Sequence, residues 1–316
     1  MTQPISQHLR LPVVAAPMFL VSGVELVVAA CRAGVVGSFP SPNCRTTAEL
    51  DTWMGTIADS VGASDTAPWA LNLITHRTNT RLAEDLRLVA EHRPGIVITA
   101  LGSPAPAIDV VKSYGGVVIA DVVSIALARK AVAAGVDGLA CVSSGAGGHT
   151  GHLSPFAFVS AVREFFDGIV TVGGGIADGA GVAGAIAAGA DLVYMGTRFL
   201  ATTESMAPQA YKQMVVDSTA DDLVVSDGVT GADASWLRPS LIANGFDPDR
   251  MAFTGARTYD SAGGVPARWR DVWAAGQGLS SIDAVEPVAD VVDRLEAQYD
   301  AACRRLAQRS AVGSAT

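Results

Sequence analysis

This 316-residue chain is short of aromatic residues (6%), charged residues (17%) and cysteine (four in all). Each scarcity excludes something. Cys31, Cys44, Cys141 and Cys303 form no C-x-x-C pair, so neither a zinc ribbon nor a disulfide framework is encoded. Cys31 and Cys141 lie in apolar runs and read as small buried hydrophobes, which points to a reducing compartment. Basic residues are the minority, 22 against 31 acidic, for a net charge of −9. No basic stripe offers a nucleic-acid footprint. Uninterrupted apolar runs of membrane length are missing too. The region from Leu11 to Gly37 is broken by Pro12, Pro17, Glu25 and Arg32. The opening "MTQPISQHLRLP" lacks the basic-then-apolar order of a signal peptide, so a cytoplasmic protein is expected. No G-x-x-x-x-G-K-[ST] and no G-x-S-x-G occur, which removes the P-loop and the nucleophile elbow.

What is abundant is alanine, valine and glycine. Eight short, continuous, β-branched runs recur: 11–18, 34–39, 69–74, 95–101, 116–121, 136–142, 168–174 and 191–196. Continuous rather than alternating apolar character marks strands covered on both faces. Helical patterns separate the runs. The segment 124–135 ends in Gly135 as a C-cap, and 178–190 begins on Asp178 as an N-cap. Eight strands alternating with helices predict a (β/α)8 TIM barrel, with an open doubly wound sheet as the alternative. The alternation stops after "DLVYMGTRFL". Residues 205–255 are expected to form an inserted helical cap, with the barrel built from 1–204 and 256–316. The stretch from 284 to 309 reads as a long amphipathic helix docking back on the barrel, followed by a frayed tail. The exposed face of that helix could serve a homodimer.

In such a barrel the chemistry sits on loops after strand C-termini. Two glycine-rich turns fall after the seventh and eighth strands, "GGGIADG" and "MGTRF". Bare backbone N–H groups there suit a phosphate, although glycines also serve simply to make tight turns. The loop after the sixth strand, "SSGAGGHTGHLSP", sets His149 among Gly147, Gly148 and Gly151, as if something must approach the backbone beside an imidazole. His149 could instead be a structural histidine bonding a carbonyl. Ser144, His152, Tyr211 and Trp236 are candidate walls of a substrate pocket; His152 could equally sit on a rim, and Trp236 could equally anchor the cap. No carboxylate accompanies His149 and His152 locally, so no metal site is expected.

"APM" (16–18), "LNL" (71–73), "GVDGLACVSSGAGGHTG" (135–151), "GGGIADG" (173–179), "GADLVYMGTRFLATTES" (189–205) and "WAAGQG" (273–278) together resemble the flavin-dependent nitronate monooxygenases, formerly 2-nitropropane dioxygenases. Flavin-type enoyl-acyl-carrier-protein reductases and NADH:quinone reductases share that superfamily. The resemblance implies FMN. Its phosphate would rest on Gly174 and Gly175 of one turn and Gly196 and Thr197 of the other. Its ring would lie beside the backbone of Ala16, Pro17 and Met18, with Asn72 and Gln277 at its edge and Gly147 and Gly148 close by. The resemblance also implies that His149 takes a proton from a nitroalkane, and that O2 oxidises the nitronate to a carbonyl compound and nitrite. An NAD(P)H-dependent reductase of an enoyl thioester or quinone is the alternative on the same scaffold. A third reading, a flavin-free phosphate enzyme of the IMP dehydrogenase type, calls for a cysteine in the sixth loop, and Gly145 to Gly151 contain none.

Overall fold

The computed structural model describes residues 5, 8–62, 66–251 and 270–313. Eight parallel strands close on themselves in the order β1 (Val13–Ala15), β2 (Val36–Pro40), β3 (Trp69–Ile74), β4 (Ile96–Ala100), β5 (Val117–Val122), β6 (Gly138–Val142), β8 (Ile169–Gly173) and β9 (Leu192–Met195). Closure is made by β9 against β1, with Val14 opposite Tyr194. The open-sheet alternative is thereby removed. All eight apolar runs of the sequence are strands of this barrel, trimmed by a residue or more at most ends because loop and strand share the same apolar character.

The helices α1 (Val24–Ala33), α2 (Thr47–Val61), α3 (Leu82–His92), α4 (Ala105–Lys112), α5 (Ile125–Ala134), α6 (Pro155–Arg163) and α7 (Gly179–Ala187) follow the strands in turn. Their starts are chemically explicit. Thr46, Ser124, Ser154 and Asp178 each accept a backbone N–H from the first turn, as N-caps do. Gly135 closes α5 in the left-handed conformation.

Strand alternation sorts the core into two parts. The outward residues, such as Leu71, Val97, Val118, Leu139 and Val172, join the helices in one large cluster. The inward residues Val14, Val36, Ala70, Ile96, Ile98, Ile119, Ala140, Ile169, Leu192 and Tyr194 fill the lumen. Among the described residues the barrel is therefore a packed core, and its chemistry belongs at the rim of loops.

After β9 come α8 (Thr197–Leu200), α9 (Gln209–Asp217), β10 (Leu223–Ser226), β11 (Ala234–Leu237), α10 (Arg238–Ala243) and α11 (Val288–Gly313). The insert is thus not purely helical. β10 and β11 pair antiparallel, and β11 pairs with a two-residue strand β7 (Gly148–His149) from the sixth barrel loop. Residues 252–269, which include the expected boundary near 255, lie outside the described residues, as do 314–316 of the expected tail. Residues 310–313 continue α11 rather than fraying from it.

Helix α11 lies against α7 and α1. The contact with α7 is made backbone to backbone: a Cβ built on Gly179 would stand 2.0 Å from the Leu295 carbonyl oxygen and 2.4 Å from the Tyr299 nitrogen. Gly179→Ala must therefore push the two helices apart. It should destabilise the fold by about 3 kcal/mol or more, read as a lowered midpoint in denaturant. An unchanged midpoint would mean that α11 is not docked this way.

Candidate active site at the barrel mouth

Three loops meet at the mouth through their glycines. The Gly145 carbonyl accepts the N–H of Gly175 (3.0 Å) and of Gln277 (2.9 Å), tying the sixth loop, the seventh loop and the segment before α11 into one unit. A Cβ on Gly147 would stand 2.7 Å from the Gly276 nitrogen, and one on Gly174 would stand 2.5 Å from the Ser144 carbonyl oxygen. These glycines are required by loop-on-loop contact. Gly148 differs: nothing lies within 4 Å of a Cβ placed there. It is the member of the motif with open space beside it.

The sixth loop is braced internally. Ser144 N–H donates to the Leu153 carbonyl (2.7 Å), and the Thr150 hydroxyl donates to the Ser143 carbonyl (3.0 Å). His149 is half-buried on β7, in register with Ala234 of β11, and Thr150 N–H donates to the Asp233 carbonyl (3.1 Å). The imidazole is thus carried on a strand whose position the insert fixes. His152 lies on the rim: its side chain is 84% exposed and stands 3.3 Å from an Asp233 carboxylate oxygen.

The two other turns fit a phosphate in part through groups the sequence marks and in part through their neighbours. Gly175 N–H is already committed to Gly145. The start of α7 is also occupied, by the Asp178 carboxylate on Gly181 N–H (2.6 Å) and by the Gln298 side chain on Gly179 N–H (3.0 Å). Among the described residues, no protein acceptor meets the N–H of Gly174, Gly196 or Thr197. Those three are donors available to an anion. The Thr197 hydroxyl accepts Gly276 N–H (2.9 Å), so it braces the turn from below.

The first loop adjoins the same corner. A Cβ on Gly196 would lie 3.5 Å from Met18 Sδ and 3.9 Å from Ala16 Cβ, and Ala16 N–H donates to the Met195 carbonyl (2.9 Å). Residues 16–22 are shaped by Asn43, a residue the sequence reading passed over. Its amide donates to the carbonyls of Met18 (3.1 Å) and Ser22 (2.7 Å), and its oxygen accepts Leu20 N–H (2.8 Å). Leu20 sits at a φ of 62°, so this hold keeps a strained residue in place. Asn72 is buried at the mouth end of β3, donating to the Ile98 carbonyl (3.2 Å). Gln277 is exposed, with its side chain beside Gly145 and Gly175. A cleft of about 740 Å³ runs outward from this corner between α6 and α7, past Ser144, Phe156, Val159 and Gly175.

Two proposed pocket walls are elsewhere. Trp236 is fully buried and packs with Val229, Ala234, Leu241 and Val272, its indole N–H donating to the Ser226 carbonyl (3.3 Å). Tyr211 is buried as well. Its hydroxyl donates to the Ala274 carbonyl (2.5 Å) and accepts Ala274 N–H (3.0 Å), and its ring stacks on Trp273. Both residues anchor the insert, because a large amphipathic ring is most stable buried with its polar tip paired. Arg198, also buried, reaches Glu286 (2.8 Å) and clamps α8 to the segment leading into α11.

Within the lumen, burial pushes the Asp121 carboxyl up to about 7, partly offset by the Tyr194 hydroxyl at 3.5 Å. The folded protein then holds this proton more tightly than the unfolded chain does. Its stabilising contribution is complete below the ordinary carboxylate range and is lost as pH rises toward 7. Asp121→Asn removes that loss. Its melting temperature should exceed that of the parent by more at pH 8 than at pH 5, for a difference on the order of a few kcal/mol. Equal differences at both pH values would show that Asp121 ionises normally.

Comparison with known proteins adds a family. Residues 63–297 match the family model described as nitronate monooxygenase. A (3aS,4S,5R,7aS)-5-hydroxy-7a-methyl-1-oxo-octahydro-1H-indene-4-carboxyl-CoA dehydrogenase of Mycobacterium tuberculosis is 33% identical over 73% of this chain and 64% of its own length, so the match spans less than two thirds of that relative. A nitronate monooxygenase of Paraburkholderia phytofirmans is 27% identical over 94% of each chain. Among solved structures, FabK from Thermotoga maritima superposes with a TM-score of 0.78 at 24% identity, covering 95% of this chain and 96% of its own. A nitroalkane oxidase from Streptomyces ansochromogenes gives 0.81 at 22% identity, covering 95% and 99%. At those identities the two structures establish the shared barrel fold. Among the described residues no helix is long and apolar enough to cross a membrane.

Proposed function

The chain belongs to the nitronate monooxygenase family, and from that premise we propose that it is an FMN-dependent oxidoreductase. It would oxidise alkyl nitronates, or nitroalkanes after deprotonation, with O2 to a carbonyl compound and nitrite. The observation that carries the reading is the convergence on one barrel end of a histidine strand and of turns with unclaimed N–H donors.

In this proposal the N–H groups of Gly174, Gly196 and Thr197 hold the FMN phosphate, with Gly175 shaping the turn through its bond to Gly145. Ala16, Pro17 and Met18 line the ring through their backbone, Asn72 and Gln277 bond its polar edge, and Gly147 and Gly148 keep the sixth loop thin enough to pass over it. FMN, when bound, supplies the electron acceptor and the centre that reacts with O2. His149 takes the proton from the carbon next to the nitro group, since a neutral imidazole suits that step near pH 7. Ser144 and the rim residue His152 border the entry. The described part of the insert, 205–251, covers the mouth and, through the β7–β11 pairing, fixes where His149 stands.

A second reading follows from the Mycobacterium tuberculosis relative, a carboxyl-CoA dehydrogenase: a reductase or dehydrogenase of a thioester, using NAD(P)H. One experiment separates the two. The purified protein should be yellow, and anaerobic mixing with propyl nitronate should reduce its flavin faster than mixing with NADPH. Faster reduction by NADPH would transfer the assignment to the second reading. A colourless protein that does not take up FMN would remove both.

A further inference from the structure

The proposed reaction gives no part to one pair of side chains inside the barrel. Most of the residues that fill the lumen are aliphatic. Asp121 faces it, in step with Val117 and Ile119, one residue short of the mouth end of β5. Tyr194 stands one residue short of the end of β9, and its hydroxyl comes to 3.5 Å from Asp121 Oδ1. The two strands are not neighbours: β6 and β8 lie between them. The phenol therefore spans the lumen.

Gly173 on β8 makes that possible, since a Cβ there would lie 2.7 Å from Tyr194 Cβ. Thr171, lower on the same strand, holds a buried hydroxyl with no partner among the described residues, a further polar atom in the same lumen. Asp121 nevertheless keeps part of its surface accessible, whereas Tyr194 is buried. An inward-facing residue this close to the C-terminal end of its strand lies directly beneath the rim of loops.

No cation balances it among the described residues. From β9 it meets the Tyr194 phenol. On β6 it stands opposite Ala140; the next residue, Cys141, points into the outer helical layer, where burial pushes its thiol up to about 12. Higher up, the mouth carries His149 on β7 and, on its rim, His152 beside Asp233.

On the flavin reading given above, we propose that Asp121, held by Tyr194, is a specificity-determining floor of the ligand cavity: its neutral form admits an anionic ligand to the mouth, and its ionised form repels one. Burial places this ionisation at about 7, where it matters. A nitronate is an anion and its parent nitroalkane is neutral, so the floor would select between two forms of one substrate.

The test uses butyrate, an unreactive carboxylate isostere of propyl nitronate, and neutral butyramide. Binding to the oxidised holoenzyme is read from the flavin visible spectrum between roughly pH 5.5 and 8.5. Butyrate affinity should fall severalfold across that range in the parent and in His149→Ala, and should stay flat in Asp121→Asn. In Tyr194→Phe the fall should move to higher pH, because the phenol no longer favours the carboxylate. Butyramide affinity should not change with pH. A fall that persists in Asp121→Asn, or that vanishes in His149→Ala alone, overturns the proposal. The protonated carboxyl is also followed by its infrared C=O band in flavin-free protein. Loss of an Asp121-dependent band over the same range supports the proposal, and a band that does not change overturns it. This second readout survives even where FMN uptake fails, so the two readings fail separately.

Discussion

His149→Ala should lower kcat/KM for neutral nitroalkanes by on the order of 10²–10⁴-fold, while oxidation of preformed nitronates changes only severalfold. The split follows from the step assigned to the imidazole. A nitronate has already lost its proton and needs no base; the parent nitroalkane does. The substitution is clean because the β7 pairing to Ala234 and Ser235 is made by backbone, which alanine retains. The bracing of the loop by Ser144 and Thr150 is also untouched. Flavin content and melting temperature should therefore match the parent. The limb of the pH–rate profile that reports the base should disappear for nitroalkanes and remain absent for nitronates. Equal losses on both substrates would show that His149 positions the substrate or the loop and takes no proton.

The barrel was legible because each of its strands is covered on both sides, and such strands must be continuously apolar. That demand leaves a signal in single runs such as "WALNLI", whose boundaries agree with β3 residue for residue. The insert gave no such signal. β10 is half-exposed along most of its length and follows two aspartates, Asp221 and Asp222, so "LVVS" looks like loop. The pairing of β11 with Gly148–His149 joins segments more than eighty residues apart, and a two-residue strand has no periodicity to read. The insert therefore reads as helix and loop in sequence, and its sheet is visible only once the chain has closed.

The site was legible in its residue types and less so in their duties. Glycine marks close approach but does not say of what. At Gly145, Gly147 and Gly174 the approaching atoms belong to other loops. Asp178 caps α7 as its spacing suggests, yet in doing so it fills the helix terminus that the sequence offers to a phosphate. Asn43 and Asp121 left no local pattern at all. One acts on a loop more than twenty residues earlier, and the other is conspicuous only for its aliphatic surroundings.

Gly174→Ala should strip the protein of its cofactor. Residue 174 holds a φ of 148°, a conformation that L residues rarely adopt, and its added methyl would lie 2.5 Å from the Ser144 carbonyl oxygen and 3.0 Å from Ser143 Cβ. Neither atom can yield cheaply: Ser143 is bonded through its own N–H to Gly173, and Ser144 to Leu153. The seventh loop must therefore move as a piece. That displaces the Gly174 N–H from the corner it shares with Gly196 and Thr197 and breaks the geometry an anion needs. Flavin recovered with the purified variant should drop at least about tenfold, since a hydrogen bond to a charged group contributes about 1.5–3 kcal/mol and more than one is disturbed. Gly148→Ala is the matched control. It also sits at positive φ, 64°, but its methyl meets no protein atom within 4 Å. It should retain the phosphate grip, and any effect should fall on substrate turnover, because the open space beside Gly148 adjoins His149. Flavin content measured from the visible spectrum after gel filtration decides the matter. Normal yellow colour in Gly174→Ala would place the phosphate away from this corner.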